Sequence, residues 1–121
     1  MDELVEQVIA NVGIARPDAE RAVGIIFDFL ATDGPPETVK VLQRLPGATA
    51  AAASAHEESG GGLFGSVGGL MGVGTRLMSA GLSMPEIQGV TRELIAYARD
   101  KAGAAEVDAI VDGIPGLRGF L

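Results

Sequence analysis

The chain has no cysteine. That excludes disulfides, thiolate metal sites and cysteine nucleophiles. It has no tryptophan, and its aromatic residues are Phe27, Phe29, Phe64, Tyr97 and Phe120 alone. Base-stacking platforms and aromatic cages have little to build with. Positive charge is scarce: nine Lys/Arg face sixteen Asp/Glu, for a formal net charge of −7. Cationic contacts with phosphates dominate nucleic-acid affinity, so no nucleic-acid partner is expected, and anionic membrane surfaces are disfavoured for the same reason. The imbalance is uneven. Residues 1–59 carry four Lys/Arg against ten Asp/Glu, and residues 60–121 carry five against six. The simpler reading of this charge is plain solubility; a cationic partner would meet the first half.

Long apolar runs are also missing. The uncharged stretch over 59–75 is too short to span a bilayer comfortably, and Arg76 follows it at once. An in-plane helix would want a basic polar face, which this stretch lacks. The opening Met1-Asp2-Glu3-Leu4-Val5-Glu6 is acidic where a signal or transit peptide is basic. It reads as the start of a helix in a cytoplasmic protein. At 121 residues the chain is expected to form one compact domain that buries roughly two-thirds of its unfolded surface.

What is present is a repeat. Gly13-Ile14-Ala15-Arg16-Pro17-Asp18 matches Gly81-Leu82-Ser83-Met84-Pro85-Glu86 in its glycine and proline, and in kind at the aliphatic and acidic positions. The same offset pairs Ile26 with Leu94, Phe27 with Ile95 and Phe29 with Tyr97. After a slip of one residue, Gly34 falls on Gly103, Glu37 on Glu106 and Leu45-Pro46-Gly47 on Ile114-Pro115-Gly116. In each copy the first glycine closes a helix, since it tolerates the left-handed conformation of a C-terminal cap. Pro17 and Pro85 fall in the first turn of the next helix, where a missing N–H costs nothing. The first long helix is apolar at Ala19, Ala22, Val23, Ile26, Phe27 and Leu30. Ile25 and Phe29 widen that stripe, which predicts burial on more than one side. Its counterpart is apolar at Ile87, Val90, Leu94, Ile95 and Ala98, with Arg92, Arg99 and Asp100 opposite. Short helices follow, with Val41, Leu42 and Leu45 inward in one copy and Val107, Ile110, Val111 and Ile114 in the other. No strand alternation occurs anywhere.

Between the copies lies an alanine-rich stretch, which predicts a helix near 48–57. Ser59-Gly60-Gly61-Gly62 is expected to break it. Over 63–82 a helical wheel puts Leu63, Val67, Leu70, Met71, Leu77 and Met78 on one face. Gly61, Gly65, Gly68, Gly69, Gly72, Thr75 and Ser79 fall on the other. The pairs Gly65/Gly69 and Gly68/Gly72 are small-xxx-small, a spacing that lets another backbone approach closely. Three readings stay open. One is a helix packed by its glycine face, within the chain or across a homodimer. A second is a Gly-rich linker with helix only from about Gly72. The third is a membrane-inserted segment.

Candidate chemistry is thin. His56, beside Glu57 and Glu58, has no second histidine for a zinc pair and is expected to be exposed. Asp28 and Asp33 would do acid–base work only if buried together in a cleft, and read more simply as surface or cap carboxylates. No serine sits in a G-x-S-x-G elbow. The glycine run lacks the ending of a phosphate loop. Neither an enzyme nor a cofactor or metal site is expected.

The helix–Pro-turn–helix unit ended by Leu/Ile-Pro-Gly, duplicated around a Gly/Met/Leu-rich middle, resembles a family of small bacterial helical-repeat proteins known only as a domain of unknown function. The resemblance rests on residues 13–47, 60–74 and 81–116. It implies a helical fold and carries no activity, substrate or ligand. The expectation is therefore an all-α bundle of five to seven helices, from two internal repeats with approximate twofold symmetry. Residues 1–47 form the first repeat, 48–62 the connector, and 63–121 the Gly-striped helix with the second repeat. Two functions follow. One is a non-enzymatic interaction or scaffold protein that self-associates through Gly65, Gly68, Gly69 and Gly72. The other is an apolar-ligand or lipid-binding module with a groove lined by Leu70, Met71, Leu77 and Met78.

Overall fold

Glycine and proline place the helix ends. The computed structural model describes residues 2–34, 36–45, 47–58, 69–114 and 117–120. The elements are α1 (Asp2–Val12), α2 (Arg16–Asp33), α3 (Glu37–Arg44), α4 (Ala48–Glu58), α5 (Gly69–Ser79), α6 (Met84–Ala102), α7 (Ala104–Gly113) and the single turn α8 (Leu117–Phe120). No strand occurs among the described residues. Gly13 and Gly81 take φ of 86° and 100°, the left-handed region that ends α1 and the α5 turn. Pro17 and Pro85 sit in the first turns of α2 and α6. The N–H of Gly34 donates to the Leu30 carbonyl at 3.0 Å, and that of Gly103 to the Arg99 carbonyl at 3.1 Å, closing the two long helices.

The two long helices start differently. Before α6, Ser83 and Glu86 form a capping-box pair, in which the Ser83 N–H donates to the Glu86 carboxylate at 2.8 Å. Before α2, the same position is Ala15, which has no side-chain acceptor for the free N–H groups of the first turn.

The core is organised around α2. Every residue from Ala22 to Leu30 is buried. The helix is met by α1, α3, α4, α5 and α6. The widened stripe at Ile25 and Phe29 is accordingly inside, at 7% and 5% exposure. On α6 the buried set is Ile87, Val90, Thr91, Leu94, Ile95, Tyr97, Ala98 and Ala102, while Arg92, Ala96, Arg99 and Asp100 face solvent. The short helices bury Val41, Leu42, Val107, Ile110 and Val111.

Close glycine-mediated packing occurs where α4 crosses α2. A Cβ on Gly24 would stand 3.2 Å from the Ala51 carbonyl oxygen and 3.4 Å from the Ala55 Cβ. Ala48, Ala52 and Ala55 are buried along the facing side of α4. The alanine-rich stretch thus forms the predicted helix because its small side chains admit the backbone of α2, in addition to its helix propensity.

Two substitutions test these readings. Ala15→Ser supplies the missing cap, and thermal or urea unfolding should show about 1 kcal/mol of added stability. Gly24→Val drives two methyls into the α4 backbone and should cost about 2–3 kcal/mol by the same measurement. No loss on Gly24→Val would mean that α4 does not sit against α2 at this distance.

Candidate functional site

A carboxylate inside an enveloped helix needs a partner, and Asp28 has one. Asp28 is 5% exposed, so it is not the surface or cap carboxylate that its sequence position implies. Arg76, on α5, donates from Nη1 to Asp28 Oδ2 at 2.9 Å and from Nη2 to the Ala55 carbonyl oxygen of α4 at 3.3 Å. The Thr32 hydroxyl donates to Asp28 Oδ1 at 3.4 Å. One guanidinium therefore ties α5 to both α2 and α4. On the same helix Val73 and Leu77 are buried, at 6% and 1%. Asp33 is helical at the end of α2, with its side chain outside the described residues, as is that of His56. The chemistry that Asp28 and Arg76 can do is structural: a clamp that sets where α5 lies.

The expected self-association and groove residues fall on and before α5. Gly65 and Gly68 lie outside the described residues. Gly69 opens α5, and Leu70 and Met71 continue it with side chains outside the described set. Gly72 is buried. Leu77 is in the core, whereas Met78 is 50% exposed, so these two side chains do not come together. Beneath α5, between Ile26, Leu30, Val73, Leu77, Ile87 and Ile95, a gap of about 10 Å³ remains, which is room for one water at most. The outward side of α5 is different in kind. Thr75, Met78 and Ser79 are exposed. Among the described residues, apart from its own helix backbone and chain neighbours, no atom stands within 4 Å of where a Cβ on Gly74 would be. Met84, at 43% exposure, starts α6 just beyond the turn.

Elsewhere an open depression of about 300 Å³ lies between the end of α1 and the start of α6, beside Asn11, Val12, Gly89 and Arg92. Its rim is tied by Gln7, whose amide donates to Glu93 at 2.6 Å. Among the described residues, no group of three or more His, Cys, Asp and Glu is placed to hold a metal ion. No helix there is long and apolar enough to cross a membrane. No family model matches the chain, and neither a curated protein nor a solved structure matches it.

The Asp28–Arg76 clamp was detectable in the sequence only as a lone acid within an apolar stretch, and its partner lies 48 residues away. Removing one member leaves the other without its counter-ion. Asp28→Ala should lose about 3 kcal/mol of unfolding free energy. The double replacement Asp28→Leu with Arg76→Met should recover most of that loss, because two apolar side chains need no desolvated charge. Equal losses in the single and double variants, read by urea titration, would show that the pair does not act as a unit.

Proposed function

We propose that the chain is a non-enzymatic interaction or scaffold protein of the cytoplasm that self-associates through the outward side of α5. The observation that supports this is Gly74. An interior helix glycine costs about 0.8–1.0 kcal/mol against alanine. At Gly24 close packing within the chain offsets such a cost, but around Gly74 the described residues, its own helix backbone and chain neighbours aside, put nothing within 4 Å of a Cβ. A second helix approaching from outside would use that bare backbone, with Met78 at its edge as an apolar anchor. The clamp on Arg76 holds α5 from behind, so that this surface is presented in one orientation.

The same reading takes the chain as a duplicated unit with approximate twofold symmetry, of the bacterial helical-repeat family that it resembles. The order of a Gly-closed helix, a Pro-started long helix and a short helix occurs in α1–α3 and again in α5–α7. In support, α1 packs on α6 as α5 packs on α2, and α3 meets α7. The net charge of −7 directs the choice of partner toward protein and away from nucleic acid.

Light scattering across concentration, on wild type, Gly69→Leu and Met78→Glu, tests the reading. Wild type should approach twice the monomer mass. Each variant should dissociate at least tenfold more readily, a change of about 1.4 kcal/mol, with unchanged unfolding temperature. A monomer in all three removes self-association. A lipid co-purifying in the native mass spectrum would favour the apolar-ligand reading in its place.

A further inference from the structure

α5 combines a well-defined place with a weak hold on it. Gly72 and Gly74 lie inside the helix, where each lowers its intrinsic stability against alanine. The buried aliphatic side chains described on it are Val73 and Leu77, which share one gap with Ile26, Leu30, Ile87 and Ile95 of α2 and α6. Its charged group is Arg76, on Asp28 and the Ala55 carbonyl oxygen. A buried ion pair specifies position more than it stabilises, because desolvation of both charges offsets their attraction. The Arg76 side chain also keeps 23% exposure, so solvent reaches the guanidinium. A segment with few buried apolar contacts and poor helix propensity opens locally while the rest of its domain stays folded.

We infer that α5 is a displaceable occupant of a groove on α2, α4 and α6, and that the groove's external ligand is an amphipathic helix with an arginine set between aliphatic residues. Unravelling α5 in place bares a defined set of groups. Asp28 supplies a carboxylate and Ala55 a carbonyl oxygen, both acceptors. Ile26, Leu30, Ile87 and Ile95 supply the apolar part. The template for the ligand is α5 itself, whose Val73, Arg76 and Leu77 stand at the i, i+3, i+4 spacing of a helix laid into a groove. A ligand that buries Asp28 again has to bring a cation with it. The net charge of −7 draws such a cationic helix and repels an acidic one. In the closed chain α5 is an autoinhibitory contact, and the ligand's apparent affinity is reduced by the fraction of molecules in which α5 is open. This groove lies beneath α5, opposite the side assigned above to self-association, and neither reading rests on the other.

Gly74→Ala separates this device from binding to an already open surface. Among the described residues nothing crowds a Cβ at Gly74, so alanine there adds helix propensity without touching the groove. Hydrogen exchange, followed by mass spectrometry at two protein concentrations about tenfold apart, reads the opening and shows any part played by association as a difference between them. The α5 amides should exchange at least about 100-fold faster than those of α2, and Gly74→Ala should slow them about four- to fivefold. A capped synthetic peptide with the α5 sequence is the probe for the groove, read by fluorescence anisotropy. Its affinity for the chain should fall by the same four- to fivefold, roughly, on Gly74→Ala, although that residue lies outside the groove. Affinity should fall at least about tenfold when the peptide itself carries Arg76→Gln. Exchange in α5 no faster than in α2 overturns the opening. A peptide that does not bind at ~1 mM, or that binds wild type and Gly74→Ala equally, overturns the groove as its site.

Discussion

From Ala22 to Leu30 all sides of α2 are buried, so each side had to be met by a neighbour whose shape and charge suit that side. Three solutions appear around one helix. Apolar side chains from α6 fill the side carrying Ile26 and Leu30. At Gly24 the helix has no side chain at all, and α4 answers with alanine. At Asp28 it carries a charge, and α5 answers with Arg76. Burying an ionised carboxylate without a partner costs several kcal/mol, so the position of α5 follows from that of Asp28 more strictly than from its two buried aliphatic side chains.

This gives α5 two unlike sides. Inward, Gly72, Val73, Arg76 and Leu77 tie it to α2, α4 and α6. Outward, Gly74, Thr75, Met78 and Ser79 present small side chains and one thioether. A helix of this composition has poor intrinsic stability, since glycine is the least favourable ordinary residue in a helix interior. Its helicity therefore comes from the tertiary contacts on its inner side.

The punctuation of the fold was legible in the sequence because it is local. Glycine at a left-handed cap and proline in a first turn act on their immediate neighbours, so Gly13, Pro17, Gly34, Gly81, Pro85 and Gly103 bound the helices where expected. The apolar positions of α2 and α6 followed from helical spacing for the same reason. What could not be read was pairing between helices. Gly24 is unremarkable in sequence, yet it marks a crossing where a Cβ would stand 3.2 Å from the backbone of α4. The glycines that drew attention, from Gly61 to Gly72, fall largely outside the described residues. Asp28 read as a surface acid because spacing alone cannot say that the polar side of a helix is also covered. The capping pair at Ser83 and Glu86 was visible as a Ser-x-x-Glu pattern, but its absence at Ala15 becomes informative only when the two helices are seen to begin alike.

The seam between α1–α4 and α5–α8 follows from the same constraint. A helix buried on every side takes its neighbours from wherever the chain can supply them, and α2 takes α5 and α6 from beyond residue 68. Opening the seam would strip α2 of both, together with the partner of Asp28, so neither set of helices closes a core that includes α2 without the other. The two sets are thus coupled by burial and charge more than by the peptide bonds that join them.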